Sequence, residues 1–350
     1  MPKKRLIYLD FLKTLAIFIV ITLHNSVWRT NFMDAGTVSS ALQFCARLFC
    51  EGVPVFVLIN GFLIFDRPYD GKKHWKRTIN ILVILLLWSV ILEVALTLIS
   101  GSPLTFSTVL TNVLETYIDQ KNTGVLWFLQ KLFVVYLLFP VLKHLYDTHE
   151  KLFNYILLVL TISTYGVALI SMVAGIFDVG VLKSLHFFSK QYALTMGPSN
   201  FVVYFMLGGY LKRNWDSLPK KKLVIAGGVC AVLAVAIGLG ASFYKGATYP
   251  ANFNYSQIFL LFTIVGAFLV CSKIPFNNRY VNAVLTTVGD NTMGIYLLHQ
   301  MVIRAMGAYL ELPTDTLWWR LLWSLVVLAV SLGVTCLLRK IPKVSYLVKL

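Results

Sequence analysis

The amino-acid sequence predicts an all-α polytopic membrane protein with about ten transmembrane helices and with both termini in the cytoplasm. Of the 350 residues, 58% are hydrophobic and only 13% are charged, whereas a soluble domain is about half apolar and a quarter charged. The mean hydropathy is +0.74. Apolar segments of about twenty residues, enough to cross a bilayer, recur along the whole chain.

The apolar segments give the candidate spans in order. The sixth is short, and it either begins earlier, near Phe187, or is broken at Gly197 and Pro198, because proline interrupts a helix. No polar region of domain size separates the segments, so we expect one transmembrane domain over residues 1–350 and no appended soluble domain. The spans are 7–27, 45–65, 79–99, 125–143, 153–175, 199–212, 222–243, 254–271, 284–306 and 317–338.

The basic residues set the orientation of these spans. With the N-terminus inside and ten alternating spans, 21 of the 31 lysines and arginines fall in cytoplasmic segments and 5 in outer loops. Cytoplasmic loops carry such an excess of positive charge. The first apolar run continues to His24 without a small-residue cleavage site, so we interpret it as an uncleaved span and not a signal peptide.

Several classes of function are disfavoured. The net charge of +16 does not indicate nucleic-acid binding, because the basic residues form short runs between apolar segments. The five cysteines include no C-x-x-C pair, so zinc and disulfide sites are disfavoured and we expect no metal. No internal repeat is evident, which counts against a transporter built from two similar halves.

The first span carries three ionisable residues, Asp10, Lys13 and His24, although such groups are costly inside a bilayer. By the helix rise, Lys13 lies roughly 9 Å and His24 roughly 25 Å from the inner surface. An imidazole titrates near neutral pH, so His24 is a candidate general base; the alternative is a hydrogen-bonded structural histidine. Lys13 either faces an anionic ligand from the cytoplasm or pairs with Asp10, three residues before it.

Other ionisable residues of the spans also lie toward the outer leaflet. Glu93 and His299 fall in the outer halves of spans three and nine and are further catalytic candidates. Each has a structural alternative, Glu93 as the partner of a cation and His299 as the partner of His24. Near helix ends, four cations either snorkel to the interface or have a function: Arg47, Lys131, Arg304 and Arg320.

A basic run before the third span, from Lys72 to Arg77, faces the cytoplasm in this topology. Such cations suit the phosphates of a nucleotide-like ligand. The alternative is the ordinary positive charge of an inner loop.

Six segments, in order, resemble the acyltransferase-3 family of integral membrane acyltransferases. "YLDFLKTLAIFIVITLH" has a cation, ten residues and a histidine, as in the family's first span, but Lys13 stands where arginine is usual. "VPVFVLINGFLIF" has Asn60 in place of the usual serine, and "HWKRTINIL" matches an R-x-x-R motif only at Arg77, with Asn80 at the second position. The other three segments are "VLWFLQKLFVVYLLFPVLK", "NFVVYFMLGGYL" and "NTMGIYLLHQMVI".

The resemblance covers nearly the whole chain and implies a membrane enzyme of the plasma (inner) membrane. Such an enzyme moves an acyl group, usually acetyl, from cytoplasmic acyl-coenzyme A to a hydroxyl of a surface glycan or its lipid-linked precursor. Acyl-CoA is then a co-substrate and no tightly bound cofactor is expected; the partners are acyl-CoA, the saccharide acceptor and membrane lipid. The candidate catalytic residues are His24, Glu93, Tyr136 and His299, and the candidate donor-binding residues are Lys13, Lys72, Lys73, Lys76 and Arg77.

Two other functions stay open at the level of the sequence. A transporter or flippase of a glycan intermediate also needs polar groups in its spans, and a membrane-bound sensor or structural partner is the third possibility. Dependence on coenzyme A separates the enzyme from both.

Overall fold

The computed structural model describes residues 5–25, 52–118, 124–177, 199–245, 257–310 and 317–349. Within these ranges the chain is helical and contains no strand, which confirms the predicted all-α class. Six of the helices are long and apolar enough to cross a membrane, and two apolar helices are shorter. The number of spans and the side on which the termini lie stay predictions.

The predicted spans all overlap helices of the structure. A π-helical turn, Ile162–Gly166, joins α6 to α7, and a 3₁₀ turn, Ser345–Val348, follows α12. The helices are, in chain order, α1 (Ile7–His24), α2 (Val53–Ile64), α3 (Gly71–Ile99), α4 (Phe106–Ile118), α5 (Trp127–Thr148), α6 (Glu150–Thr161), α7 (Val167–Phe177), α8 (Ser199–Arg213), α9 (Lys220–Lys245), α10 (Ile258–Cys271), α11 (Arg279–Tyr309) and α12 (Leu317–Lys340).

Some boundaries differ from the prediction. Helix α3 begins at Gly71 and not near residue 79, so the basic run lies on a helix rather than in a loop. Asp70 caps this helix, because its carboxylate accepts a 3.0 Å hydrogen bond from the backbone N–H of Lys73. That bond lowers the pKa of the Asp70 carboxyl below its ordinary value. Helix α4 was not predicted, and the two proposed starts of the sixth span lie outside the described residues.

The chain divides into two compact units. Unit 1 comprises Met1–Val27, Asp70–Leu137 and Asn277–Leu350; unit 2 comprises Trp28–Tyr69 and Leu138–Phe276. The division falls inside α5, so this helix contributes its first part to unit 1 and its second part to unit 2.

In unit 1, α1 packs against α11 and α12, and α11 also packs against α3 and α12. Three hydroxyl side chains lie on one face of α12 at spacings of seven and four residues, and all are fully buried: Ser324, Ser331 and Thr335. Gly294 of α11 packs directly on the Thr335 side chain, which leaves no room for a Cβ. Small and hydroxyl residues allow such close approach of helices in a membrane.

In unit 2, α2 packs against α8 through Gly61 and Gly208, each of which lies against the backbone of the opposite helix. Two of the motif segments quoted from the sequence therefore contact each other. Below this contact Phe65 packs its ring 4.9–5.5 Å from the rings of Phe139, Tyr146, Phe153 and Phe205.

The α9–α10 contact of unit 2 rests on a second glycine pair. A Cβ on Gly227 would lie 2.7 Å from the carbonyl oxygen of Phe262 and 2.9 Å from the Cα of Gly266. The neighbouring Gly228 faces open space, with nothing within 4 Å of its Cβ position. The two adjacent glycines therefore differ only in what they face.

We expect Gly227→Ala to lower the free energy of unfolding by about 1–3 kcal/mol, because the added methyl group forces two backbones apart. Gly228→Ala is the matched control, and it should be neutral or raise stability by up to about 1 kcal/mol, because alanine favours a helix more than glycine does. Thermal unfolding of the purified protein in detergent measures both. Equal effects of the two substitutions would contradict the packing described for α9 and α10.

Candidate active site

The structure places His24 and His299 side by side in unit 1. His24 is the last residue of α1, and its ring centroid lies 5.3 Å from that of His299 on α11, with the ring planes at 45°. His299 is fully buried, and His24 is half-buried. Two of the four catalytic candidates are therefore brought together from positions 275 residues apart.

Hydrogen bonds fix the orientation of His299. Its Nδ1 contacts the carbonyl oxygen of Tyr296, one turn earlier on α11. Because a carbonyl oxygen only accepts, Nδ1 of the neutral ring carries the proton and Nε2 keeps a lone pair. That Nε2 is buried and has no hydrogen-bond partner among the described residues. The Tyr296 hydroxyl in turn donates a 2.5 Å hydrogen bond to the carbonyl oxygen of Val125, just before α5.

The C-terminal end of α1 is anchored by Asn25. Its side-chain Nδ2 donates to Ser324 Oγ at 3.2 Å and to the carbonyl oxygen of Arg320 at 3.4 Å, both on α12. Since Asn25 directly follows His24, these bonds hold the imidazole at a defined position beside α11.

The opposite end of α1 carries an ion network. Arg5 binds Asp10 through two hydrogen bonds. Nε donates to Oδ2 at 2.6 Å and Nη2 donates to Oδ1 at 3.0 Å. Arg5 Nη2 also donates to Asp290 Oδ1 of α11 at 2.8 Å. The hydrogen bonds to Asp10 raise the pKa of Arg5 above its ordinary value. A Cβ on Gly289 would lie 2.5 Å from Asp10 Oδ1, so only glycine leaves room for this carboxylate.

Lys13 forms the predicted pair with Asp10, but only as a long contact. Its Nζ lies 3.7 Å from Asp10 Oδ1, beyond hydrogen-bond distance, while Arg5 already occupies both oxygens of that carboxylate. The Lys13 side chain is 24% exposed. Its ammonium therefore keeps donors for another anion.

Lys13 and His24 lie on the same face of α1, since eleven residues make just over three whole turns, roughly 16 Å along the axis. Between them on that face are Ala16, Ile17 and Val20, each at most 2% exposed. The face that joins the two polar positions is therefore packed closed in this structure.

Glu93 and Tyr136 have other neighbours. Glu93 Oε1 accepts hydrogen bonds from Asn112 Nδ2 of α4 and, at 3.4 Å, from Thr97 Oγ1, so the donors to this oxygen in the described part of the chain are neutral groups. The Tyr136 ring stacks on His74 in the first turns of α3, with centroids 5.9 Å apart. Tyr136 lies roughly 15 Å along the direction of α5 from Val125, the residue whose carbonyl oxygen accepts the hydrogen bond from Tyr296. Any catalytic role for these two residues stays a prediction.

The remaining candidate cations lie at the surface or near rings. All four basic side chains at the start of α3 are exposed, and Lys73 Nζ lies 3.1 Å from Asp70 Oδ2. Lys131 Nζ lies 5.1 Å from the ring centroid of Trp127. Arg304 is exposed and Arg320 is half-buried, while Arg47 lies outside the described residues.

Within the described ranges there is no group of three or more histidine, cysteine or acidic side chains that could hold a metal ion. The cysteines of these ranges, Cys230, Cys271 and Cys336, are free thiols. The other two, Cys45 and Cys50, lie outside the described residues.

Arg5, Asn25 and Asp290 were not predicted as partners of this site. A signal existed for Arg5, because a buried Asp10 near the membrane surface needs a cation and Lys13 was not the only one in reach. For Asp290 and Ser324 the sequence carries no local signal, since their partners, Arg5 and Asn25, flank α1, hundreds of residues away.

Comparison with known families agrees with the motifs. A family model described as an acyltransferase domain matches residues 6–340, nearly the whole chain. The chain therefore belongs to the acyltransferase-3 family and is a multi-pass membrane protein. No curated protein and no solved structure matches it.

We expect Asp10→Ala to lower the free energy of unfolding by about 2 kcal/mol, because it removes a buried, doubly hydrogen-bonded partner of Arg5. Asp290→Ala is the matched control, since it removes the second carboxylate on the same guanidinium, and this carboxylate is 48% exposed. Its cost should stay below about 1 kcal/mol. Thermal unfolding in detergent compares them, and an equal or larger effect of Asp290→Ala would contradict the assignment of Asp10 as the main anchor.

Proposed function

We propose that this protein is an O-acyltransferase that moves an acyl group, acetyl by default, from cytoplasmic acyl-CoA to a hydroxyl of a cell-surface glycan or its lipid-linked precursor. The observation that carries the proposal is the contact between His24 and His299 in a chain that matches the acyltransferase family over residues 6–340. The donor and the acceptor are inferred from the resemblance. We compare the layout with that of the family's short members, such as the enterobacterial common antigen O-acetyltransferase, and propose that the protein lies in the plasma (inner) membrane.

In this proposal His24 is the general base. Its free ring nitrogen takes the proton of the acceptor hydroxyl as the oxygen attacks the carbonyl carbon of the thioester. The tetrahedral intermediate then collapses, the carbon–sulfur bond breaks, and the proton passes from His24 to the departing sulfur of coenzyme A. The products are the ester and free coenzyme A, and His24 returns to its starting state.

His299 acts as a positioning residue for His24. Its Nδ1–H is held by the Tyr296 carbonyl, and its Nε2 is left without a described partner close to the His24 ring. An acceptor at that place binds the N–H of His24, directly or through one water molecule, and turns the other nitrogen of His24 toward the substrate. In this proposal the acceptor hydroxyl is the nucleophile, His24 is the base and His299 is the third group that orients the base, as in other sites that activate a nucleophile.

The donor enters at the inner end of α1. Lys13 has spare hydrogen-bond donors there, and the exposed cations Lys72, Lys76 and Arg77 of α3 suit the phosphates of coenzyme A. Because Ala16, Ile17 and Val20 are packed between Lys13 and His24, the pantetheine arm reaches the base only when α1 separates from its neighbours along this face. Binding of acyl-CoA is therefore expected to open this part of unit 1.

We expect His24→Ala to lower acyl transfer at least 100-fold, the usual contribution of a general base. His299→Ala should lower kcat about tenfold to 100-fold with little change in KM for acyl-CoA, since it only orients the base. Incorporation of labelled acetyl from acetyl-CoA into the glycan fraction of membranes that contain the protein measures transfer. His144→Ala, at an exposed histidine of unit 2, is the matched control, and it should leave acyl transfer unchanged.

Retention of full transfer in His24→Ala would refute the assignment of the base. A loss in His299→Ala that appears in KM and not in kcat would refute the orienting role of His299.

Binding of acetyl-CoA to the purified protein tests the donor site without the acceptor. We expect Lys13→Ala and Arg77→Ala each to weaken binding about fivefold or more, because each removes a charge-assisted bond to phosphate, while His24→Ala binds like the wild type. Lys273→Ala, at an exposed lysine of unit 2, is the control. If the wild type does not bind at millimolar concentration, the acyl-CoA proposal fails and a transporter or flippase of a glycan intermediate becomes the better explanation.

A further inference from the structure

The chain that follows α12 returns to α3 and docks on it. The Trp88 indole N–H donates a 2.8 Å hydrogen bond to the carbonyl oxygen of Leu347, and Trp88 itself is 2% exposed. The next side chain, Val348, is 1% exposed. The 3₁₀ turn Ser345–Val348 contacts α3, α11 and α12, all of unit 1. A buried apolar side chain next to a buried hydrogen bond holds this segment at a fixed register on α3.

From this anchor the segment runs toward the basic start of α3. Asn80 Nδ2 donates to the carbonyl oxygen of Lys349 at 3.5 Å, two residues after the Leu347 carbonyl that Trp88 binds. Asn80 lies eight residues closer than Trp88 to the N-terminal end of the helix. The chain direction is therefore from the middle of α3 to its cytoplasmic end.

Lys349 thereby lies beside two cations of the donor site. Asn80 follows Lys76 by four residues and Arg77 by three, and residues at these spacings are neighbours on a helix surface, about 5–6 Å apart. The side chains of Lys76, Arg77 and Lys349 are all exposed. No ion pair with a carboxylate is present for any of the three within the described part of the chain, whereas Lys73 is paired with Asp70.

We propose that Lys349 belongs to the donor site, where with Lys76 and Arg77 it binds the 3′-phosphate monoester of acyl-CoA. This inference rests on the proposed function and adds a residue to the same site. A phosphate monoester carries close to two negative charges at neutral pH and three acceptor oxygens, so it is matched by several converging cations rather than by one. Asn80 and Trp88 are then positioning residues, because they hold the backbone that carries Lys349.

A competing explanation for the cations near Lys349 is the general excess of positive charge on the cytoplasmic side. Substitution of Lys343 distinguishes this explanation from a specific phosphate site. Lys343 is also exposed and lies in the same segment, between α12 and the 3₁₀ turn, but no bond to α3 places it beside Arg77. A bulk electrostatic effect depends on total charge and weighs both lysines alike. A phosphate site depends on Lys349 alone.

The experiment measures binding of coenzyme A and of 3′-dephospho-coenzyme A to the full-length protein in nanodiscs of phosphatidylcholine, at low salt. We expect Lys349→Ala to weaken binding of coenzyme A about threefold to tenfold, the range for an exposed charge-assisted contact, and to leave binding of the dephospho form unchanged. Lys349→Arg should retain affinity. Trp88→Phe keeps an aromatic side chain but replaces the indole with a smaller ring that has no N–H, and it should reproduce the loss.

Each other outcome overturns the inference. If Lys349→Ala binds coenzyme A like the wild type, or if Lys343→Ala causes the same loss, Lys349 is not part of a phosphate site. If the dependence on Lys349 disappears in nanodiscs of phosphatidylglycerol, these cations bind lipid head groups instead. If the wild type binds neither form of coenzyme A, the proposed function itself fails, and adenosine 3′,5′-bisphosphate then tests whether the three cations bind a phosphate at all.

Discussion

The bond between Arg5 and Asp10 is the interaction on which the rest of unit 1 depends. It fixes the N-terminal end of α1 on α11, because the same guanidinium also binds Asp290 and because Gly289 admits the Asp10 carboxylate at 2.5 Å from its Cβ position. An α-helix is stiff over the 18 residues of α1. Once its N-terminal end is set, the height at which His24 meets His299 follows from the helix rise. Asn25 then fixes the rotation of the C-terminal end through Ser324.

Close contacts between helices in each unit are made at glycine or at small hydroxyl residues. In a bilayer the helices gain little from burying apolar surface against one another, so close approach at glycine and hydroxyl positions supplies the packing. Gly61 and Gly208 do this in unit 2, and Gly294 with Thr335 does it in unit 1. The histidine pair is thus held between packed helices, which suits the role of base that we propose for His24.

Much of the fold follows from the sequence, because hydropathy and charge act locally. The apolar runs predicted the helices apart from α4, and the ionisable residues of spans one and nine drew attention to His24 and His299, which the structure brings into contact. Partners far apart in the chain escaped that reasoning: Asp290 for Arg5 and Lys349 for Asn80 lie more than 250 residues away. The start of α3 was missed because its first turns are charged and have no hydropathy signal, although Asp70 was a readable cap. Tyr136 is a different case. Its motif resembles that of the family, but the motif did not indicate that its ring stacks on His74.

The packed stretch of α1 formed by Ala16, Ile17 and Val20 also bears on the permeability of the membrane. In the proposed mechanism the donor comes from one side of the membrane and the base lies near the other, and a passage that joined the two would be a leak. Ions and protons cross only where water or polar groups form a continuous path. Three small or branched apolar side chains between Lys13 and His24 interrupt such a path along this face of α1. If the proposed donor entry is correct, the face opens only around a bound donor, so the protein could transfer a group across the membrane without conducting ions.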